Sequence, residues 1–180
     1  MQTSDVTKLY AGDQRVSGLS ALLLKAKLLR YSIKGLNGSS LALVANAIIK
    51  QTQGIHLFIL SDKEKAAYFY NDLENLSGEA SFDYDNKNIL FYPTSYKKPY
   101  QVEDIENANI LLRSEVLNRL SHAKKAPIIV TYPEALCEKV ITKKNLQSNT
   151  LKLQKGENVN HDFIMDLLTD FEFERVDFVV

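Results

Sequence analysis

Apolar residues follow two patterns along this chain. Continuous apolar runs predict strands that are covered on both faces, and they occur at 55–60 (IHLFIL), 89–92 (ILFY) and 128–132 (IIVTY). A shorter, partly β-branched run at 31–34 (YSIK) predicts another strand, which ends at Gly35. The first part of the chain therefore has four candidate strands, separated by longer segments of a different pattern.

Those longer segments have apolar residues three and four positions apart. This spacing predicts helices over 17–30, 41–50, 63–76 and 103–120, and a short helix follows around 134–139. Strands that alternate with helices indicate βαβ units. The predicted fold class is therefore α/β, a three-layer arrangement in which helices cover both faces of a mostly parallel sheet.

The composition changes at 142–150 (TKKNLQSNT), which is polar and has little periodicity. We predict one domain over 1–145 and the start of a small α+β domain over 146–180. In the second domain we expect strands at 151–156 and 173–180 and a helix at 162–171, with these residues facing inward: Phe163, Ile164, Leu167, Leu168 and Phe171. Because the sequence stops on an apolar strand, we expect it to be a piece of a longer polypeptide.

Charge and cysteine content narrow the class of protein. The 22 basic and 22 acidic residues balance, which argues against the broad basic surface of a dedicated nucleic-acid binder. Cys137 is the only cysteine, so we expect a reducing, cytoplasmic setting and no cysteine-based metal site. No apolar run approaches the roughly 20 residues that span a bilayer. The histidines also lack the spacing of metal ligands: His56, His122 and His161.

The segment 35–48 (GLNGSSLALVANAI) has the position and glycines of a phosphate-binding loop. A working loop reads G-x-x-x-x-G-K-[ST], in which the lysine reaches the phosphates and the hydroxyl binds magnesium. Aligned at Gly35, this chain has Leu41 at the lysine and Ala42 at the hydroxyl. We therefore expect no hydrolysis and no useful nucleotide binding. The segment is either an ordinary turn before a helix or a decayed loop shaped by Gly35, Gly38, Ser39 and Ser40.

A second candidate site is the loop at 92–100 (YPTSYKKPY). It combines aromatic rings with two cations, the mixture that stacks on bases and neutralises phosphates in single-strand binders: Tyr92, Tyr96, Lys97, Lys98 and Tyr100. The alternative is a proline-stiffened loop whose tyrosines cover the carboxyl edge of the sheet. Ligands gather at this edge in parallel sheets, so both interpretations stay open.

Four segments, taken in order, resemble the amino-terminal region of the bacterial transcription-repair coupling factors, the Mfd family, which is related to the excision-repair protein UvrB. They are 35–48, 56–76 (HLFILSDKEKAAYFYNDLENL), 89–120 (ILFYPTSYKKPYQVEDIENANILLRSEVLNRL) and 128–136 (IIVTYPEAL). In UvrB the glycine segment is an intact phosphate loop. In the coupling factors it is typically degenerate, as Leu41 and Ala42 make it here.

This resemblance implies a P-loop NTPase-like (RecA-like) domain similar to domain 1a of UvrB, without catalysis or cofactor. The sequence itself also lacks Walker B carboxylates, because no apolar run ends in a paired Asp-Glu. It also implies that 146–180 belong to the domain that contacts UvrA. Whole coupling factors use ATP and magnesium in motor domains to translocate on double-stranded DNA, displace stalled RNA polymerase and recruit nucleotide excision repair. The chain would then be a scaffold and interaction module. Two alternatives stay open: a nucleotide-dependent enzyme domain with an unorthodox loop, and a single-strand nucleic-acid binding module.

Overall fold

A short parallel sheet organises the first part of the chain. The computed structural model describes residues 3–25, 30–83, 86–96, 107–122, 126–142, 144–145, 151, 153, 155–170 and 173. Contacts divide the chain into two units, Met1–Ile141 and Thr142–Val180. Each unit is described by itself below.

The sheet in the first unit consists of β1 (His56–Ile59), β2 (Ile89–Tyr92) and β3 (Ile128–Thr131). β3 lies in the middle, in the order β1-β3-β2, and pairs in parallel with both neighbours. The register places His56 and Ile89 beside Ile128. All three strands lie inside predicted apolar runs, and the prediction of an α/β fold with a parallel sheet flanked by helices is confirmed.

Helices precede, separate and follow the strands along the chain. Their bounds are α1 Thr3–Gly12, α2 Gln14–Lys25, α3 Ser40–Gln51, α4 Lys63–Ser77, α5 Asn107–His122, α6 Pro133–Cys137 and, in the second unit, α7 His161–Asp170. The helical spacing predicted each of these except α1, which the sequence analysis missed. In the part of the chain that the structure describes, none of these helices has the length and apolar character needed to cross a bilayer.

Helices contact the sheet from both faces. Phe58 of β1 packs on Phe69 of α4, with ring centroids 5.2 Å apart. Tyr92 of β2 contacts Arg113 of α5. Because successive strand residues point to opposite faces and Tyr92 is one register position beyond the row of Phe58, these two contacts lie on opposite faces. The central strand β3 is buried along its whole length as a result.

The edge strand β1 is covered on one face only. Its burial alternates, and Leu57 and Ile59 are 51% and 53% exposed. Ile55, which precedes the strand on the same face, is also exposed. The continuous apolar run had predicted a strand covered on both faces, and for β1 this expectation is wrong because α5 packs over β2 rather than over β1.

Local capping explains the bounds of α4. Asp62 accepts a hydrogen bond from the backbone N–H of Lys65 at 2.8 Å. This bond and the Lys65 side chain lower the pKa of Asp62 to about 2, so the cap stays ionised and favours the positive end of the helix. At the other end Gly78 adopts a left-handed conformation, with φ of 80°, which terminates the helix.

The strand predicted at 31–34 is wrong. Residues 30–37 contain no regular secondary structure, and both Tyr31 and Ile33 are exposed. The segment has only two apolar residues in alternation, and no described strand lies beside it to accept its hydrogen bonds. Helix α3 contacts both α1 and α2. Val44 and Ala47 of α3 pack with Val16 of α2, and Tyr10 of α1 packs against this cluster.

The second unit contains helix α7, which confirms the predicted helix over the described residues. Its apolar side chains were expected to face inward, yet no residue of α7 is buried and Phe163 is 54% exposed. The predicted strand at 151–156 is not present at residues 151, 153, 155 and 156. Phe171 and 174–180, which carry the remaining expectations, lie outside the described residues.

Candidate functional site

In the glycine loop ahead of α3, the Ser40 side chain hydrogen-bonds to the backbone of the loop. Gly35 and Gly38 have positive φ, at 87° and 54°, which places the backbone in a region that favours glycine. The hydroxyl of Ser40, the first residue of α3, accepts from the backbone N–H of Asn37 at 2.8 Å and donates to the Asn37 carbonyl at 2.7 Å. Its hydrogen-bonding capacity is therefore directed back into the loop.

The first amides of α3 are also directed toward the loop. The N–H groups of Ser40 and Leu41 donate to the carbonyls of Asn37 and Gly38 at 3.3 and 3.4 Å. Ser39 precedes the helix in a helical conformation and makes no side-chain capping bond. Free amides at a helix start are what makes such a position bind anions. Here two of these amides already have acceptors, so the loop has fewer free N–H donors for a phosphate than its position before a helix suggests.

The two positions that would carry phosphate chemistry have different surroundings. Leu41, at the lysine position, is 39% exposed. Ala42, at the hydroxyl position, is 1% exposed and belongs to the main hydrophobic core. A hydroxyl at 42 would therefore enter an apolar core. In this arrangement the loop has neither the cation nor the magnesium ligand of a working site.

A cavity of about 610 Å³ borders the loop. It is mostly apolar, with walls that include Leu9, Val16, Leu19, Ile33, Leu36 and Val44. At its rim the Arg15 guanidinium donates to both carboxylate oxygens of Asp13, at 3.1 and 2.8 Å. This pairing lowers the pKa of Asp13 to about 2. Asp13 and Arg15 are thus paired with each other, and Lys34 also lines the cavity.

The carboxyl edge of the sheet contains the described part of the tyrosine loop. Tyr92 is only 5% exposed, and the Arg113 guanidinium lies 4.3 Å from its ring centroid. Burial raises the pKa of Tyr92. One face of this ring is therefore already occupied by a cation. Tyr96 is half-buried, and Lys97, Lys98 and Tyr100 lie outside the described residues.

Arg113 is the centre of a buried polar network at this edge. Its Nη1 donates to the carbonyls of Pro93 and Ala135 at 2.7 and 3.1 Å. Its Nη2 lies 3.3 Å from Oε2 of Glu138, and the two side chains are 8% and 11% exposed. Glu138 also accepts from the backbone N–H and the hydroxyl of Ser95, each at 2.9 Å. The network ties α5, α6 and the loop after β2 together.

A second set of bonds closes the same edge. The backbone N–H of Thr94 donates to the Tyr132 hydroxyl at 2.9 Å. The Thr94 hydroxyl donates to the Tyr96 carbonyl at 3.2 Å, so the Tyr132 hydroxyl is the donor in its own 3.0 Å contact with Thr94 Oγ1. Ligands bind at this edge in many α/β folds. In this chain its polar groups bond to one another, and a cavity of about 330 Å³ beside Arg113 and Glu138 remains.

His56 lies at the opposite, amino edge of the sheet. The Thr52 hydroxyl donates its single proton to the Ile48 carbonyl at 2.7 Å, so it must accept from His56 Nε2, 3.2 Å away. Burial lowers the pKa of His56. The ring is therefore neutral at neutral pH, with its proton on Nε2. Among the described residues no cluster of three or more metal-ligating side chains includes it.

This arrangement makes stability depend on pH. The depressed pKa of folded His56 means that, just below its ordinary value of 6.5, the unfolded chain binds more protons than the folded chain. The free energy of unfolding should therefore decrease as pH falls from about 8 to about 5, and we expect this decrease to be smaller in His56→Gln. Urea unfolding across this range measures the difference. His161→Gln is the control, because His161 is highly exposed; an equal effect of both substitutions would count against burial as the cause.

Cys137 is a free thiol that is exposed at the end of α6. Sequence reasoning found the glycine loop and the tyrosine loop but missed Arg113 and Glu138. Their only sequence signal is a charged residue within a helical apolar pattern, which does not identify a partner 25 positions away.

Comparison of the chain with protein-family models, curated proteins and solved structures finds no match.

Proposed function

We propose that this chain is a non-catalytic, amino-terminal scaffold module of a transcription-repair coupling factor, related to the first domain of UvrB. The ordered resemblance over roughly 30–140 supports the family. The observation that carries the non-catalytic role is the glycine loop, in which Ser40 bonds back to Asn37 and Ala42 lies in the core. This combination keeps the shape of a loop before a helix without groups that would hold a nucleotide.

The proposal includes a P-loop NTPase-like arrangement for 1–145. Helices α4 and α5 on opposite faces of a parallel sheet support it. The segment 31–34 departs from it, because such folds place a strand directly before the phosphate loop. We therefore take the resemblance to concern the layered arrangement of helices and sheet rather than a functional nucleotide site.

Nucleotide titration tests the non-catalytic role. A ligand at roughly 100 times its dissociation constant would stabilise the folded chain by about 2.7 kcal/mol. We expect ATP and ADP with magnesium to produce neither heat in calorimetry nor a shift of the melting temperature at millimolar concentration. A magnesium-dependent shift would return the chain to the class of nucleotide-dependent enzyme domains and overturn the proposal.

The scaffold role predicts partners within the repair pathway. We propose that 146–180 belong to the UvrA-contacting domain of the coupling factor, and that its RNA polymerase, DNA and ATP sites lie in other parts of that protein. A module of this kind restrains the motor domains when it packs on them.

A reconstitution experiment tests that restraint. The chain is added to a coupling factor from the same organism that lacks its amino-terminal region, and ATP hydrolysis is measured. We expect the rate to fall as the chain is titrated. The full-length coupling factor, which already contains the module, is the control and should not respond. An unchanged rate for the shortened protein at saturating chain would contradict the restraint.

A further inference from the structure

We draw no further inference here: the strongest candidate, the cavity of about 590 Å³ at the amino ends of the strands, whose lining includes Asn46, Lys50 and Glu79, carries none, because the unpartnered amide nitrogen of Asn46 is itself covered by protein and the opposite charges of Lys50 and Glu79 single out no class of ligand.

Discussion

Arg113→Met is expected to lower the free energy of unfolding by about 3–5 kcal/mol. The substitution removes the guanidinium that lies against Glu138, and both side chains are nearly buried. It also leaves the carbonyls of Pro93 and Ala135 without this donor. A buried carboxylate and two carbonyls that lose a charged partner are each costly. Urea unfolding followed by circular dichroism measures the loss.

Two comparisons separate this mechanism from the loss of a surface charge. Arg15→Met removes an ion pair with Asp13 that is shorter, at 2.8 Å against 3.3 Å for Arg113 and Glu138, but Arg15 is 91% exposed. We therefore expect a much smaller loss than for Arg113→Met, because solvent screens an exposed pair. The double variant Arg113→Met with Glu138→Leu no longer contains a buried carboxylate that lacks its cationic partner. The double variant should therefore lose less than the sum of the two single variants, by about 0.5–3 kcal/mol. Strictly additive losses would show that the two side chains do not depend on each other.

Ala42→Thr, which restores the hydroxyl of a phosphate loop, is expected to destabilise the protein by about 1–3 kcal/mol. Ala42 is packed into the core on the inner side of α3. Threonine adds volume and a hydroxyl that needs a partner in apolar surroundings. We expect no gain of ATP binding in return, because the added oxygen faces the core rather than the loop. Thermal and urea unfolding, with and without magnesium-ATP, measure both effects.

Matched substitutions isolate the role of burial in this result. Ala67→Thr makes the same change at an exposed position of α4, and it should cost no more than the helix-propensity difference of about 0.7 kcal/mol. Leu41→Lys, at the half-exposed position of the missing cation, should change stability by about 0.5 kcal/mol at most. If Ala42→Thr were as mild as Ala67→Thr and also conferred ATP binding, position 42 would face the loop and the decayed site would be repairable.

Much of the first unit could be predicted from local patterns. The runs that became β2 and β3 are continuously apolar because both faces of these strands are covered or nearly so. The helices between them have the apolar spacing that packing on a sheet requires. These features depend on residues close together in the chain, so a single sequence is sufficient to find them.

The errors concern partners that lie far away in the chain. The run at 31–34 resembles a strand locally, but a strand forms only where a neighbour accepts its hydrogen bonds. The short helix α1 was missed because tertiary contacts, rather than a local apolar pattern, stabilise it. In one such contact the Gln51 side chain donates a hydrogen bond to the Ala11 carbonyl at 3.0 Å. Propensity does not report such contacts.

The candidate sites illustrate the same limit. The missing lysine and hydroxyl at 41 and 42 are visible in the sequence, because the phosphate-loop motif is local. The return of the Ser40 hydroxyl to Asn37 is also local but has no motif, and it emerged only from the geometry. The burial of Tyr92 beneath Arg113 requires the packing of α5 on β2, which no spacing rule specifies.

The order of the strands has a consequence for how the protein is made. Of the three strands that the structure describes, β3 is synthesised last, yet β1 and β2 pair only with β3 within this sheet. Ile59 of β1 pairs with Thr131 of β3, which is synthesised 72 residues later (131 minus 59). At about 5–20 residues per second, translation needs about 4–14 s to supply that partner. During this interval the apolar β1 and β2 segments emerge from the ribosome before β3 is available for pairing. Nascent-chain chaperones can therefore bind their accessible apolar side chains.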